Sequence, residues 1–177
     1  MEYLESILGK QNPNNWHRHE NGGGWVKNTA YVAPTAFVGE NGLVYGNAQV
    51  FDKVIICGNA QVFENARIYN CAKIHGNAII CENAQVAFDS EIFGDSKVCS
   101  NTLIEGGVWS ESPLTLRLGE YNFTNVRPGF IKIGCKSERF EYWKSEAALK
   151  FAKSLKMGED NAKRYTEAID FFIKFGK

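Results

Sequence analysis

Few side chains in this sequence combine the type and spacing that chemistry needs. Trp16-His17-Arg18-His19-Glu20 offers three metal-ligating residues, His17, His19 and Glu20, almost side by side, but neighbours this close make a poor preformed metal site, and the segment reads as solvated. His75 is the one histidine beyond that cluster, and an imidazole is the side chain that suits a general base near neutral pH. Cys57, Cys71, Cys81, Cys99 and Cys135 are odd in number, and no two have the spacing of a zinc knuckle or a redox motif. They read as reduced, intracellular thiols. Gly22-Gly23-Gly24 lacks the Lys-Ser/Thr pair of a phosphate-binding loop and reads as a flexible lead-in. The richest cluster lies late in the chain, where Arg117, Arg127, Lys132, Lys136, Arg139 and Lys144 alternate with Tyr121, Phe123, Phe130, Phe140, Tyr142 and Trp143. Cations can meet phosphates while rings stack on bases. Arg117, Tyr121, Arg127, Lys132, Lys136, Arg139, Tyr142 and Trp143 are therefore the candidate ligand-binding residues. The competing reading makes the rings a core and the cations its solvated side.

What positions these residues is a repeat. Val26, Val32, Val38, Val44, Val50, Ile56, Val62, Ile68, Ile74, Ile80, Val86, Ile92, Val98 and Ile104 recur every six residues without exception. Four places after each stands a small residue at most positions, such as Ala48, Ala60, Ala66, Ala72, Ala78 and Ala84, closing at Val108. Asn or Asp usually precedes it, as at Asn47, Asn59, Asn77 and Asp95. A period of six fits neither a helix nor simple strand alternation. It fits a short strand, a corner and another strand, with the β-branched residue inward, the small residue where the chain bends, and Asn or Asp tolerating a left-handed corner.

Units such as Val44-Tyr45-Gly46-Asn47-Ala48-Gln49 resemble the hexapeptide repeat of the left-handed parallel β-helix, in which three hexads make one coil. The expected fold is mainly β: a left-handed parallel β-helix of between four and five coils over residues 26–109, a lead-in at 1–25, and a small α+β module at 110–177. Residues 18 apart would then stack, giving outward columns Tyr45/Phe63/Cys81/Cys99, Ala33/Phe51/Tyr69/Ala87/Glu105 and Gly39/Cys57/His75/Phe93. Side chains pointing the same way suit a disulfide between Cys81 and Cys99 poorly. Two aromatic columns exceed what a monomer usually exposes, so another subunit or the C-terminal part is expected to cover at least one. Alternatively, they only stiffen the wall. The resemblance implies a homo-oligomer, a trimer by preference. It also raises an acyltransferase with His75 as its base, although no acidic residue shares the His75 column and the register leaves no protruding loop.

Beyond Trp109 the period ends. Leu114–Leu118, Tyr121–Val126 and Phe130–Gly134 alternate as strands, with Pro128-Gly129 as a turn. Ser145–Met157, stopped by Gly158, and Asp160–Phe175 read as helices that close the sheet or cap the β-helix. Asn21-Gly22-Gly23-Gly24-Trp25-Val26, the Tyr45-Gly46-Asn47-Ala48 hexads and Phe130-Ile131-Lys132-Ile133-Gly134-Cys135 with Tyr142-Trp143 together resemble phage and prophage accessory proteins of the hexapeptide-repeat type. That resemblance implies interference with a bacterial defence system, by sequestering a nucleotide signal or capping a host bacterial protein.

Composition bounds these readings. The 177 residues hold 20 Lys plus Arg against 20 Asp plus Glu, a balance that argues against wrapping long nucleic acids. Residues 1–109 nevertheless carry 7 basic and 11 acidic side chains, whereas residues 110–177 carry 13 and 9. The basic third can hold a small anion. No apolar run reaches membrane-spanning length and the N-terminus lacks a signal-like pattern, so a cytoplasmic protein is expected, in the host cytosol if phage-encoded. The leading expectation is a non-catalytic, oligomeric binding protein that sequesters a nucleotide-like anion and needs no cofactor or metal.

Overall fold

Each hexad closes into a strand and a corner. The computed structural model describes residues 1–118, 120–154 and 159–176. Helix α1 (Glu2–Leu8), a 3₁₀ turn (Pro13–Asn15) and strand β1 (Trp16–Arg18) precede the repeat. The repeat itself forms β2 (Trp25–Lys27), β3 (Tyr31–Val32), β4 (Phe37–Val38), β5 (Leu43–Val44), β6 (Gln49–Val50), β7 (Ile55–Ile56) and β8 (Gln61–Val62). It continues through β9 (Arg67–Ile68), β10 (Lys73–Ile74), β11 (Ile79–Ile80), β12 (Gln85–Val86), β13 (Glu91–Ile92), β14 (Lys97–Val98), β15 (Leu103–Ile104) and β16 (Val108–Trp109). Every third strand pairs in parallel, giving sheets ordered β2-β5-β8-β11-β14, β3-β6-β9-β12-β15 and β4-β7-β10-β13-β16. Ile56 aligns with Ile74 and Ile74 with Ile92, so one coil takes 18 residues. The chain is a β-solenoid of about five coils.

Its interior is the aliphatic set read from the sequence, buried from Val26 to Ile104 apart from the partly buried Val32, with Ala36, Ala48, Ala60, Ala66, Ala72, Ala78 and Ala84 filling the corners. The left-handed residue is not the Asn or Asp before the small residue, as expected, but the one preceding it: Gly46, Asp52, Gly58, Glu64, Asn70, Gly76, Glu82, Phe88, Gly94 and Ser100 all have positive φ. Glycine is demanded twice over in one column, because a Cβ on Gly58 would lie 2.9 Å from Gly76 N and one on Gly76 would lie 2.9 Å from Gly94 N. The displaced Asn residues do a different job. Asn47, Asn65 and Asn83 link side chain to side chain along one edge, and Asn59, Asn77 and Asp95 along another.

The last hexad departs from the pattern. Trp109 aligns with Ile92, 17 residues back rather than 18, after Gly106 and Gly107 at φ 132° and 86°. The dropped residue turns Trp109 inward, where it is buried and its Nε1 donates to Gly106 O at 3.0 Å. Val108, expected as the final corner residue, lies on the strand and is exposed.

The N-terminal segment is no loose lead-in, although His17, Arg18 and Glu20 are exposed as expected. Strand β1 pairs antiparallel with β2, extending the first sheet beyond its parallel part. Leu4 of α1 packs with Trp16, Trp25 and Leu43, and Tyr45 joins from the side. His19 is buried, and Arg18 Nη1 donates to Gly23 O and Glu40 O, pinning the glycine run.

Two compact units divide the chain, Met1–Ser112 and Pro113–Lys177. The second holds an antiparallel sheet in the order β17 (Thr115–Leu118), β18 (Tyr121–Arg127), β19 (Phe130–Ile133), β20 (Lys136–Arg139), then α2 (Phe140–Trp143), α3 (Glu146–Ser154) and α4 (Glu159–Phe175). Alternation in the sequence anticipates β17 to β19 but not β20. The helices close the sheet: Phe123, Ile131 and Ile133 pack with Trp143, Ala148, Tyr165, Ile169 and Phe172. Met157 and Gly158, the expected end of the first of these helices, lie outside the described residues, as does the side chain of Ala162. Among the described residues no helix is long and apolar enough to cross a membrane.

Candidate functional site

Strand register sorts the eight candidate ligand-binding residues onto two faces. Leu116 aligns with Phe123 and Phe123 with Ile133, so that row faces the helices. Trp143 belongs to this side: it is buried, and its Nε1 donates to Ile131 O at 3.0 Å and Glu138 O at 3.1 Å. Tyr142 meets Trp143 edge-on at 5.2 Å, and Tyr121 packs against the same core. Lys136 lies over the Tyr142 ring at 4.2 Å and 3.8 Å from the Glu138 carboxylate. A hydrogen bond with Tyr142 holds its ammonium above the ordinary value, outweighing the opposing effect of desolvation. These four residues are occupied in structure.

The other face gathers the remaining four. Arg117 aligns with Asn122, Thr124 with Lys132, and Lys132 with Ser137. Arg127 would point toward the helices by simple alternation from Phe123 and Asn125. A register shift between Asn125 and Arg127 re-aims it, so that Arg127 aligns with Phe130 and Phe130 with Arg139. The Arg127 guanidinium carbon sits 3.9 Å from the Phe130 ring centre and that of Arg139 5.3 Å from it. Arg127 and Arg139 are exposed, and Phe130 is half-buried. A ring flanked by two guanidinium groups holds those groups in place through cation–π attraction, and each keeps the planar fork that grips two oxygens of a phosphate or carboxylate. Arg117, Arg127, Lys132 and Arg139 share this face, and its strand positions include no acidic residue.

A second arrangement lies on the solenoid. His75 stacks on Phe93, ring centres 5.1 Å apart and planes 4° from parallel. Its acidic partner, which inspection of the column did not find, is Glu91, two residues before Phe93 on the next coil: His75 Nε2 lies 3.0 Å from Glu91 Oε1. A carboxylate can only accept, so a Glu91 carboxylate at this distance favours the tautomer with the proton on Nε2, which leaves Nδ1 as the basic nitrogen. The two side chains are 33% and 38% exposed, open enough for a substrate to reach.

The Tyr45/Phe63 column stacks at 4.7 Å and 8°, and α1 lies beside its lower end: Tyr3 and Tyr45 both pack against the Leu4 cluster, and the Tyr3 hydroxyl donates to Asn59 Oδ1 at 3.3 Å. Burial, reinforced by the nearby Glu64 charge, pushes the Tyr45 hydroxyl up to about 12. Higher in that column Cys81 and Cys99 are joined by a disulfide, overturning the expectation of reduced, unpaired thiols. In-register stacking brings their Cα atoms to 4.7 Å, inside the range a disulfide accepts, so parallel side chains on adjacent coils are no obstacle. Cys57, Cys71 and Cys135 are thiols.

Fold and sites together define a β-solenoid protein with an appended α+β unit bearing a basic sheet face. No family model matches the chain, and neither does any curated protein or solved structure.

Proposed function

We propose that this chain is a non-catalytic binding protein that holds a small, nucleotide-like anion on the basic face of its C-terminal sheet. The observation that carries the reading is Phe130 flanked by Arg127 and Arg139, brought to one face by the register shift in β18. Two forked donors on the strands either side of β19 suit a phosphate, and a guanidinium plane also offers a base something to stack on. The solenoid serves as the rigid scaffold, assembled as a homo-oligomer, trimeric by preference. The motif resemblance to phage and prophage accessory proteins supports a counter-defence role in the host cytosol, either removing a nucleotide signal or capping a host protein. Calorimetry against cyclic and linear nucleotides, with inorganic phosphate for comparison, is the test. Saturable binding that weakens in both Arg127→Ala and Arg139→Ala is the expected result, and a flat response across the panel removes the proposal.

One observation favours a second reading. The 3.0 Å pairing of His75 with Glu91 orients an imidazole as the general base of an acyltransferase would need. Acetyl-CoA turnover abolished by His75→Ala supports this reading, and turnover unchanged by that substitution eliminates it.

A further inference from the structure

We infer that Cys81, Glu82 and Cys99 form a redox-gated site for a soft divalent cation of the zinc or cadmium type. The two sulfurs and a Glu82 carboxylate oxygen lie within 4.8 Å of one another. In the disulfide state the sulfurs are bonded to each other and the site is shut. Reduction by a dithiol-class reductant breaks the S–S bond: two electrons and two protons pass to the pair, the reductant closes its own disulfide, and two thiols remain face to face.

The thiols stay in place because strand pairing, not the sulfur bridge, sets their positions. Ile80 aligns with Val98, Cys81 N donates to Val98 O at 3.0 Å and Asn83 N to Ser100 O at 2.9 Å. Glu82 is fixed separately, its backbone N donating to Glu64 Oε2 at 2.7 Å. A tetrahedral zinc with bonds of about 2.3 Å to sulfur holds its two thiolates about 3.8 Å apart, a spacing that side chains from Cα atoms 4.7 Å apart can reach. Cys81 is buried, Cys99 half-buried and Glu82 exposed, so the cation enters on the carboxylate side. Binding displaces one proton from each thiol. Three protein ligands leave the fourth position to water, the pattern of an open zinc site.

The test uses the full chain, reduced with a phosphine that is then removed without air, and titrated with cobalt(II) as a spectroscopic stand-in. A background with Cys57→Ser, Cys71→Ser and Cys135→Ser silences the other thiols. The expected result is a thiolate-to-cobalt charge-transfer band that saturates at one ion per chain, is absent from the oxidised protein, and is lost in Cys81→Ser and in Cys99→Ser. Glu82→Gln keeps the band but moves its midpoint to more than about tenfold higher metal, since even outer-shell partners are worth about 10–100-fold in affinity. A reduced protein with no saturable band, or an equal band in the oxidised form, overturns the site. An independent reading on the unsubstituted chain avoids any folding defect: zinc shields Cys81 and Cys99 from alkylation after reduction. Alkylation at unchanged rate overturns it equally.

Discussion

His75 and Glu91 are 16 residues apart in sequence and one coil apart in space, joined at 3.0 Å. The same diagonal joins Tyr45 to Gln61 at 3.1 Å and Tyr69 to Gln85. The position after an inward aliphatic thus meets, one coil on, the position before the next aliphatic of its sheet. For a pair about a third exposed, solvent and salt leave little net stabilisation. Glu91→Gln is expected to change stability by less than about 1 kcal/mol in urea denaturation, which separates any effect on turnover from an effect on folding.

Gly76 is expected to tolerate no side chain. Its φ of 67° and the 2.9 Å approach of a Cβ to Gly94 N make Gly76→Ala both strained and crowded. The left-handed strain alone costs about 1–3 kcal/mol, and the shift should appear as a lower thermal midpoint.

Phe88 offers the opposite experiment. It is a bulky, exposed residue at φ 59°, where an L side chain costs about 1–2 kcal/mol and glycine costs nothing sterically. The entropic penalty of glycine is about 0.5–1 kcal/mol, so Phe88→Gly is expected to be neutral or to raise the thermal midpoint.

Trp109 closes the aliphatic core of the solenoid at one end. Trp109→Ala is expected to cost about 3–5 kcal/mol, read as a lower urea midpoint, with the exposed neighbour Val108→Ala close to neutral.

Alkaline pH should loosen the N-terminal cluster. The Tyr45 hydroxyl is raised from 10.0 to about 12, mainly by burial, so folding favours its protonated form. That contribution is complete below pH 10 and disappears as pH rises through about 12. Tyr45→Phe should therefore flatten the decline in stability over this interval. Tyr3, Tyr69 and Tyr165, also raised by burial, retain a share of it.

The solenoid was legible because its signal is one-dimensional: Val26 to Ile104 all face inward, and burial of each depends only on its place in the hexad. Relations between hexads were harder to read. The Cys81–Cys99 bridge and the His75–Glu91 diagonal depend on how neighbouring coils align, not on any local pattern. Gly46, Gly58, Gly76 and Gly94 mark the left-handed position in the sequence itself, but Asn is the more frequent residue and stands one place further on. On the basic face, alternation alone would have sent Arg127 to the wrong side. Only the irregularity at Val126 returns it to Arg139, and nothing in the residue types announces a bulge. Helix α1 is not legible because its apolar stripe is short, and Leu4 gains its partners only when β1 pairs with β2 and brings Trp16 and Trp25 into one cluster.

The Cys81–Cys99 link joins positions 18 residues apart, one full turn of the wall, so that turn is a covalent ring. Under a mechanical pull on both ends of the chain, coils elsewhere can peel away one after another, but this one cannot be drawn out to full length. A force–extension trace of the oxidised protein should fall short of the reduced one by about 60 Å, the contour length of those 18 residues. The bridge then acts as a stop on the thread, setting how far the molecule can be unwound before a bond has to break.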